Sequence, residues 1–181
     1  MADKYDLVYQ ESVNNPSAFW LKAAQGIDWV KEPQTGHDGN AWFPDGELNT
    51  CYNAIDRHVE AGRGNNVALI YDSPVTNTIK KYSFFDLLER VSKTAGMLAT
   101  NGVKKGDRVI IYMPMVPEAI FGMLACARLG AIHSVVFGGF APAELAKRID
   151  DAKPSLILTA SCGIEPGRLV EYKPLLDNAR H

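Results

Sequence analysis

The sequence predicts an α/β protein with an open, largely parallel sheet that has helices on both faces. Strand-like and helix-like segments alternate between residues 109 and 159. Successive strands there begin about 22 to 26 residues apart, which is the spacing that a parallel crossover through a helix requires. The strands are continuous apolar runs, as expected when helices cover both sides of a sheet.

The composition narrows the class of protein. The chain has 181 residues, of which 46% are hydrophobic and 22% charged, as in an ordinary globular protein. A net charge of −2 disfavours nucleic-acid binding. The longest nearly apolar run, residues 119–127, is too short to cross a bilayer. Three cysteines without CxxC spacing, and no signal-peptide or presequence pattern, make the cytoplasm the default expectation.

The chain divides into an N-terminal extension over residues 1–48 and a main part over residues 49–181. The extension is aromatic and irregular, with one helix predicted from Pro16 to Ala24 because proline favours the first helical turn. Its tryptophan side chains can bury large apolar areas only if they pack against another part of the protein or against a partner. Two interpretations stay open: the extension packs against its own domain, or it is an arm that binds a partner.

Regular elements begin with the main part. A helix over residues 50–60 precedes a short strand over residues 67–71. Ser83 followed by Asp86 predicts the N-terminal cap of a second helix, which ends at Asn101 and Gly102. The later elements are the strands 109–113, 134–137 and 156–159 and the helices 118–129, 142–151 and 172–179.

Three loops leave the carboxyl ends of these strands, over residues 114–118, 138–142 and 160–168. Parallel sheets bind ligands at that edge, where helix N-termini present free N–H groups. Gly138 and Gly139 let the backbone approach a ligand, and the guanidinium of Arg168 suits a phosphate. Simpler interpretations remain, since paired glycines also form tight turns and a single loop arginine is usually solvated.

Sequence motifs for common catalytic sites are missing from the chain. It contains no GxGxxG, GxxxxGK[ST], GxSxG or HExxH pattern. His133 begins a strand expected to be buried, at the end opposite the three loops, so we interpret it as a core histidine and not as a general base. The residues alone therefore assign no catalytic group and no metal ligand.

Residues 109–168 resemble the N-terminal part of the AMP-forming short-chain acyl-CoA synthetases. The likeness lies in YMPMVPEA at 112–119 and in LACARLGAIHSVVFGGF at 124–140. Phe19 with Trp20, and residues 49–56, resemble the extension that acetyl-CoA and propionyl-CoA synthetases share, so the resemblance covers nearly the whole chain. The segment SCGIEPGR at 161–168 is more similar to propionyl-CoA synthetases.

The resemblance implies a ligase that adenylates a short-chain carboxylate with ATP and Mg²⁺ and then transfers the acyl group to CoA. It also implies that Phe137, Gly138, Gly139 and Arg168 border the nucleotide end of CoA. Glu165 stands where acetyl-CoA synthetases have a further arginine, and a carboxylate at that place repels a phosphate. The CoA contact expected here therefore differs from the acetyl-type pattern.

The chain has no counterpart of the family's phosphate loop, ribose-binding acid, acyl pocket or catalytic lysine. We therefore expect that the chain alone does not adenylate, that it does not disclose the acyl preference, and that it lacks the ATP and Mg²⁺ site. An uncovered sheet edge predicts self-association. A non-catalytic module that binds CoA, a nucleotide or a partner is the alternative function, and a mitochondrial location is the alternative for the parent enzyme.

Overall fold

The computed structural model describes residues 3–136, 138 and 141–179. Contacts between residues divide the chain into two compact units, Met1–Asn49 and Thr50–His181. Along the described residues, every helix is too short or too polar to traverse a lipid bilayer.

The first unit begins with two helices, α1 (Lys4–Asn14) and α2 (Pro16–Ala24). The prediction of α2 is confirmed, with Pro16 in the first turn. The prediction that the segment before it is irregular is wrong. Asp3 and Asp6 form a capping box, in which the backbone N–H of Asp3 donates to the Asp6 carboxylate over 3.3 Å. None of the residues of α1 is buried, so the cap, and not a buried face, is the feature that stabilises the start of this helix.

Polar contacts hold the rest of the first unit together. The Ser17 hydroxyl oxygen accepts the backbone N–H of Gly36 over 3.1 Å, and Trp29 donates its Nε1–H to the carbonyl of Ala24 over 3.0 Å. Among the described residues of this unit, Ala24 is the only buried apolar residue. The unit therefore has hydrogen bonds and aromatic contacts but almost no core of its own.

The second unit opens with a helix over residues 50–63 that contains two π-helical turns, Tyr52–Asp56 and Val59–Arg63. Next comes an antiparallel hairpin of β1 (Val67–Ser73) and β2 (Thr78–Ser83), of which the sequence analysis predicted only the first strand. Helix α3 (Phe84–Thr100) confirms the predicted cap. The Ser83 hydroxyl accepts the N–H of Asp86 over 3.1 Å, and the Asp86 carboxylate accepts the N–H of Ser83 over 2.8 Å.

The alternating region forms the predicted parallel sheet. Its elements are β3 (Arg108–Tyr112), α4 (Pro117–Leu129), β4 (Ile132–Val136), α5 (Pro142–Ala152), β5 (Leu156–Thr159), β6 (Gly163–Glu165), β7 (Arg168–Val170) and α6 (Tyr172–Ala179). The strands of the sheet lie in the order β4, β3, β5, and all pairings are parallel. The short antiparallel hairpin of β6 and β7, which the sequence analysis did not predict, follows, and then the predicted last helix α6.

Helices cover both faces of the central strand β3, as the sequence predicts. Val109 belongs to a buried cluster that includes Val91 of α3 and Phe121 of α4. Ile110 and Tyr112 point the other way and belong to a second cluster with side chains of α5 and α6. Two separate apolar cores thus pack against opposite faces of β3. Together they position this strand and the loop that follows its carboxyl end.

Strand β4 is less buried than its apolar run predicts. Val136 is its only buried residue, whereas Ile132, Val135 and His133 are exposed. The interpretation of His133 as a core histidine is therefore wrong. The reason is the strand order, because β4 is the outer strand of the described sheet and no described strand pairs with its far side. Self-association through this edge stays a prediction.

Candidate functional site

The three loops predicted to share one edge of the sheet do meet there, around a cavity of about 670 Å³. The loop after β3 contributes its Met113–Val116 segment, the end of β4 contributes Val136 and Gly138, and the segment after β5 contributes residues 162–165. The β1–β2 hairpin forms a further wall with residues 71–74 and 76. The cavity is therefore lined by four separate stretches of the chain and by Tyr172 of α6.

Gly138 is buried beside the ring of Tyr172 at this edge. A Cβ atom added to Gly138 would overlap the hydroxyl oxygen of Tyr172 and would come within 2.6 Å of two ring carbons. Such an overlap cannot be tolerated unless the ring moves. Tyr172 thus occupies the space left by the missing side chain of Gly138. The sequence analysis left open ligand approach or a tight turn for this glycine and did not predict this packing role.

Tyr172 holds two of the loops in place. A Cβ atom on Gly163 would lie 2.7 Å from its Cε2 atom, so the ring sits against a glycine of each loop. Its backbone N–H donates to the carbonyl of Ser161 over 3.0 Å, and its ring centre lies 5.0 Å from that of Tyr112. The sequence analysis missed Tyr172, and no local pattern signals it, since its partners come from other segments.

Arg168 begins β7 and is paired with Glu165, the last residue of β6. Its Nε and Nη2 atoms lie 2.7 Å and 2.6 Å from the same carboxylate oxygen, Oε2. The pair is open to solvent, with 70% of the arginine side chain and 39% of the glutamate side chain exposed. The guanidinium is accessible, but its neighbour is an anion of the same hairpin.

The lining of the cavity carries negative charge. Its charged lining residues are Asp72 and Glu165, and no lysine, arginine or histidine lines it among the described residues. Burial raises the pKa of the Tyr172 hydroxyl, and the nearby Glu165 charge raises it further. In the part of the chain that the structure describes, no three His, Cys, Asp or Glu side chains are grouped so that they could hold a metal ion. Arg168 lies next to this cavity through its ion pair with Glu165.

A second arginine–carboxylate pair lies within the helical part of the same unit. Arg128 of α4 donates from Nη1 and Nη2 to the two carboxylate oxygens of Asp56, over 3.1 Å and 2.7 Å. Burial acts to lower the pKa of Arg128, but the hydrogen bonds and charges of Asp56 and Cys51 together outweigh it, so the pKa lies above its ordinary value. Burial also raises the pKa of the adjoining Cys51 thiol, which the Arg128 charge partly opposes. This pair joins segments 72 residues apart and is structural.

Of the residues that the family resemblance assigns to CoA, Gly138 and Arg168 belong to the same region of the structure. Gly138 and Glu165 line one cavity, and Glu165 holds Arg168. Phe137 and Gly139 lie outside the described residues. The expectation that Gly138 and Arg168 share one edge of the sheet agrees with this placement, while their role in binding CoA stays a prediction.

Two family models match the chain. The model described as AMP-binding enzyme matches residues 55–180, and the one described as acetyl-coenzyme A synthetase N-terminus matches residues 5–54. The chain belongs to the AMP-binding enzyme family. The boundary between the two matched regions falls within the helix over residues 50–63, near the boundary between the two compact units of the chain.

The chain is also similar to several individual proteins of known family. The acyl-CoA synthetase short-chain family member 3, mitochondrial, is 56% identical over 181 residues in Bos taurus and 54% identical over 181 residues in Homo sapiens. Each match covers 97% of the chain and 26% of the relative. The acetyl-coenzyme A synthetase of Bartonella quintana is 45% identical over 184 residues, which cover 98% of the chain and 28% of that protein. The chain thus spans about a quarter of the length of these relatives.

Proposed function

We propose that this chain is the N-terminal part of an AMP-forming short-chain acyl-CoA ligase, of the propionyl-CoA synthetase type. In this reaction a carboxylate oxygen attacks the α-phosphate of ATP, forming an acyl-adenylate and releasing pyrophosphate. The thiol of CoA then attacks the acyl carbon and displaces AMP. The observation that carries the proposal is the AMP-binding match over residues 55–180, within which the loops at the carboxyl ends of β3, β4 and β5 surround one cavity.

We further propose that residues 1–48 are an extension of acetyl-CoA synthetase type and that residues 49–181 begin the adenylate-forming domain. The relatives named mitochondrial make a mitochondrial location the alternative to the cytoplasmic one that the sequence predicts. Short-chain carboxylate, ATP and CoA are then the small-molecule partners of the whole ligase. Neither nucleic acid nor a membrane belongs to this proposal.

The residues present fit one part of CoA and not the rest of the reaction. An exposed guanidinium suits a phosphate of the CoA nucleotide, so Arg168 would hold it, next to Glu165, which lines the same cavity as Gly138. ATP supplies the phosphoryl electrophile when it is bound to the whole ligase. The described residues contain no cluster for Mg²⁺, so we derive no catalytic step from this chain's side chains.

Carboxylate-dependent exchange of pyrophosphate into ATP tests the proposal. The purified chain should give no exchange above background with acetate or propionate, because it lacks the charged groups that stabilise the transition state at the α-phosphate. A chimaera in which this chain replaces the matching N-terminal quarter of the Bartonella quintana synthetase should retain exchange and thioester formation.

Two results would contradict the proposal. Robust exchange by the isolated chain would show that its catalytic groups are already present. A chimaera that folds as the parent does but gives no exchange would show that the chain is not a functional part of such a ligase. Tight CoA binding by the chain together with that second result would favour the non-catalytic binding module instead.

A further inference from the structure

The cavity at the carboxyl edge of the sheet has a buried hydroxyl group in its wall. Tyr172 is only 4% exposed, and it lines the cavity. Its hydroxyl oxygen overlaps the position that a Cβ atom of Gly138 would take and lies 3.4 Å from the corresponding position at Gly163. Both glycines line the same cavity, so the hydroxyl lies at the cavity wall between two residues that have no side chain.

This hydroxyl group lacks a hydrogen-bond partner within the part of the chain that the structure describes. The backbone N–H of Tyr172 donates to Ser161, but no described donor or acceptor pairs with the side-chain oxygen. Buried tyrosine hydroxyls usually have a partner, because an unpaired polar group in an apolar wall is unfavourable. A molecule that occupies the cavity is placed to supply that partner.

The rest of the wall suits the apolar body of an organic molecule. Apolar side chains line the cavity from three separate stretches, among them Met113, Val136 and Ile164. The volume of about 670 Å³ lies within the usual range of small-molecule sites. Such sites gain affinity from apolar burial and orient the ligand through a few polar groups, which is the arrangement that the single hydroxyl of Tyr172 provides.

The charged groups of the wall select the sign of the ligand. The charge of Glu165 is balanced by Arg168, whereas Asp72 of the β1–β2 hairpin has no ion pair with any described residue. An anion in the cavity would meet both carboxylates and, over the described ranges, no basic side chain of the wall. A protonated amine is instead attracted by Asp72 and can donate a hydrogen bond to the Tyr172 oxygen.

We propose that this cavity binds an organic ammonium ion with an apolar body. The ammonium group donates a hydrogen bond to the hydroxyl oxygen of Tyr172 and is attracted by the charge of Asp72, while the apolar body packs against the aliphatic wall. Arg168 is not among the described residues that line the cavity, so this site is separate from the phosphate contact proposed above. The inference therefore goes beyond the proposed function and does not depend on it.

Nuclear magnetic resonance titration of the isotope-labelled 181-residue chain tests this with three probes of similar shape. The probes are phenethylammonium, the neutral phenethyl alcohol and the anion phenylacetate. At neutral pH the ammonium ion should bind about fivefold more tightly than the alcohol, the upper range for one exposed charge contact. Phenylacetate should bind more weakly than either. The amide signals of Gly138 and Gly163 should shift on addition of the ammonium ion.

Two variants separate the two contacts. Tyr172→Phe keeps the ring and removes the hydroxyl, and it should weaken the ammonium ion and the alcohol alike, about fivefold, as expected for one lost hydrogen bond. Asp72→Asn should weaken only the ammonium ion, which should then bind as the alcohol does. The matched control is Asp151→Asn, which changes an exposed carboxylate of α5 outside the cavity lining and should leave all three affinities unaltered.

Three results would overturn the inference. The first is an unaltered chain that binds the alcohol or phenylacetate as tightly as the ammonium ion, or binds no ammonium ion at all. The second is a folded Tyr172→Phe variant with unchanged affinities. If that variant does not fold, Asp72→Asn decides, because residue 72 is exposed on the hairpin, and an unchanged preference for the ammonium ion there is the third. None of these results involves CoA or ATP, so the proposed function is judged by its own test.

Discussion

Two regions of the second unit contain an arginine, a carboxylate and a cysteine, and they differ in what surrounds them. Around Arg128 the arginine and Asp56 side chains are only 26% and 17% exposed, and Cys51 is fully buried. Around Arg168 the ion pair is solvated, and Cys162 is partly exposed in the cavity wall. The same functional groups are structural in the first region and accessible to a ligand in the second, so burial and not residue type distinguishes the two roles.

The largest effect should come from breaking the buried pair. Arg128→Gln leaves the Asp56 carboxylate largely buried without its cation, and we expect the free energy of unfolding to fall by about 3 kcal/mol. Chemical denaturation followed by circular dichroism measures it. Arg90→Gln, an exposed arginine on α3, is the control and should change little.

A double variant sharpens this test. Asp56→Asn together with Arg128→Gln should cost less than the sum of the two single changes, because no uncompensated charge remains. Additive losses would show that the two groups stabilise the fold independently, and the contrast with the Arg168 region would then lose its basis.

A smaller effect should follow from filling the space beside Tyr172. Gly138→Ala forces the added methyl group into the Tyr172 hydroxyl, and overpacking of this kind costs about 2 kcal/mol. Thermal unfolding measures the loss. This measurement tests whether packing at Tyr172 stabilises the region around Arg168, because the Glu165–Arg168 ion pair is too exposed to stabilise that region.

Gly96→Ala is the control for this change, because a Cβ atom on that helical glycine meets nothing within 4 Å. It should leave stability unchanged or raise it slightly. Tyr172→Leu should recover part of the loss in Gly138→Ala by removing the hydroxyl. An unaltered midpoint for Gly138→Ala alone would mean that Tyr172 does not occupy the space beside the glycine.

The smallest effect concerns the thiols. In the native protein, a maleimide at pH 8 should label Cys162 about tenfold or more faster than Cys51 and Cys126. These two thiols are buried and become accessible to the reagent only when the protein unfolds. Burial raises the pKa of Cys126 to about 11 and also raises that of Cys51. In denaturant the three rates should converge, and equal rates in the native state would contradict the difference in burial.

The raised pKa of the Cys126 thiol also predicts how the free energy of unfolding depends on pH. Cys126 has an ordinary pKa of 9.0 and a higher one in the fold. Below pH 9 the thiol is neutral in both states and its contribution to stability is complete. As the pH rises from about 9 to 11 the unfolded thiol ionises first, so stability should decline across that window.

The sequence predicted the elements whose signal is local. Periodic apolar residues predicted α3, a continuous apolar run predicted the central strand, and the Ser83–Asp86 cap predicted where α3 begins. It missed β2 because two adjacent lysines, Lys80 and Lys81, hide the strand pattern. It missed α1, whose apolar side chains, among them Tyr5, Val8 and Tyr9, are exposed and belong to no buried core.

The site was harder to predict because its contacts are not local. The loops could be placed at one edge from topology alone, since carboxyl ends of parallel strands lie together. Tyr172 meets Gly138 across 34 positions of the chain, and no spacing rule pairs them. The Asp56–Arg128 contact likewise depends on how two helices pack, which composition and periodicity do not specify.

The position of Tyr172 also constrains how this edge of the molecule can move. One aromatic ring contacts a glycine in each of two loops, and its own backbone begins α6. A rotation of α6 would therefore displace both loops together, and neither loop can hinge separately unless the ring first leaves its place. Any opening motion that separates α6 from the turn at Gly138 must therefore first break the packing of the Tyr172 ring against Gly138 and Gly163.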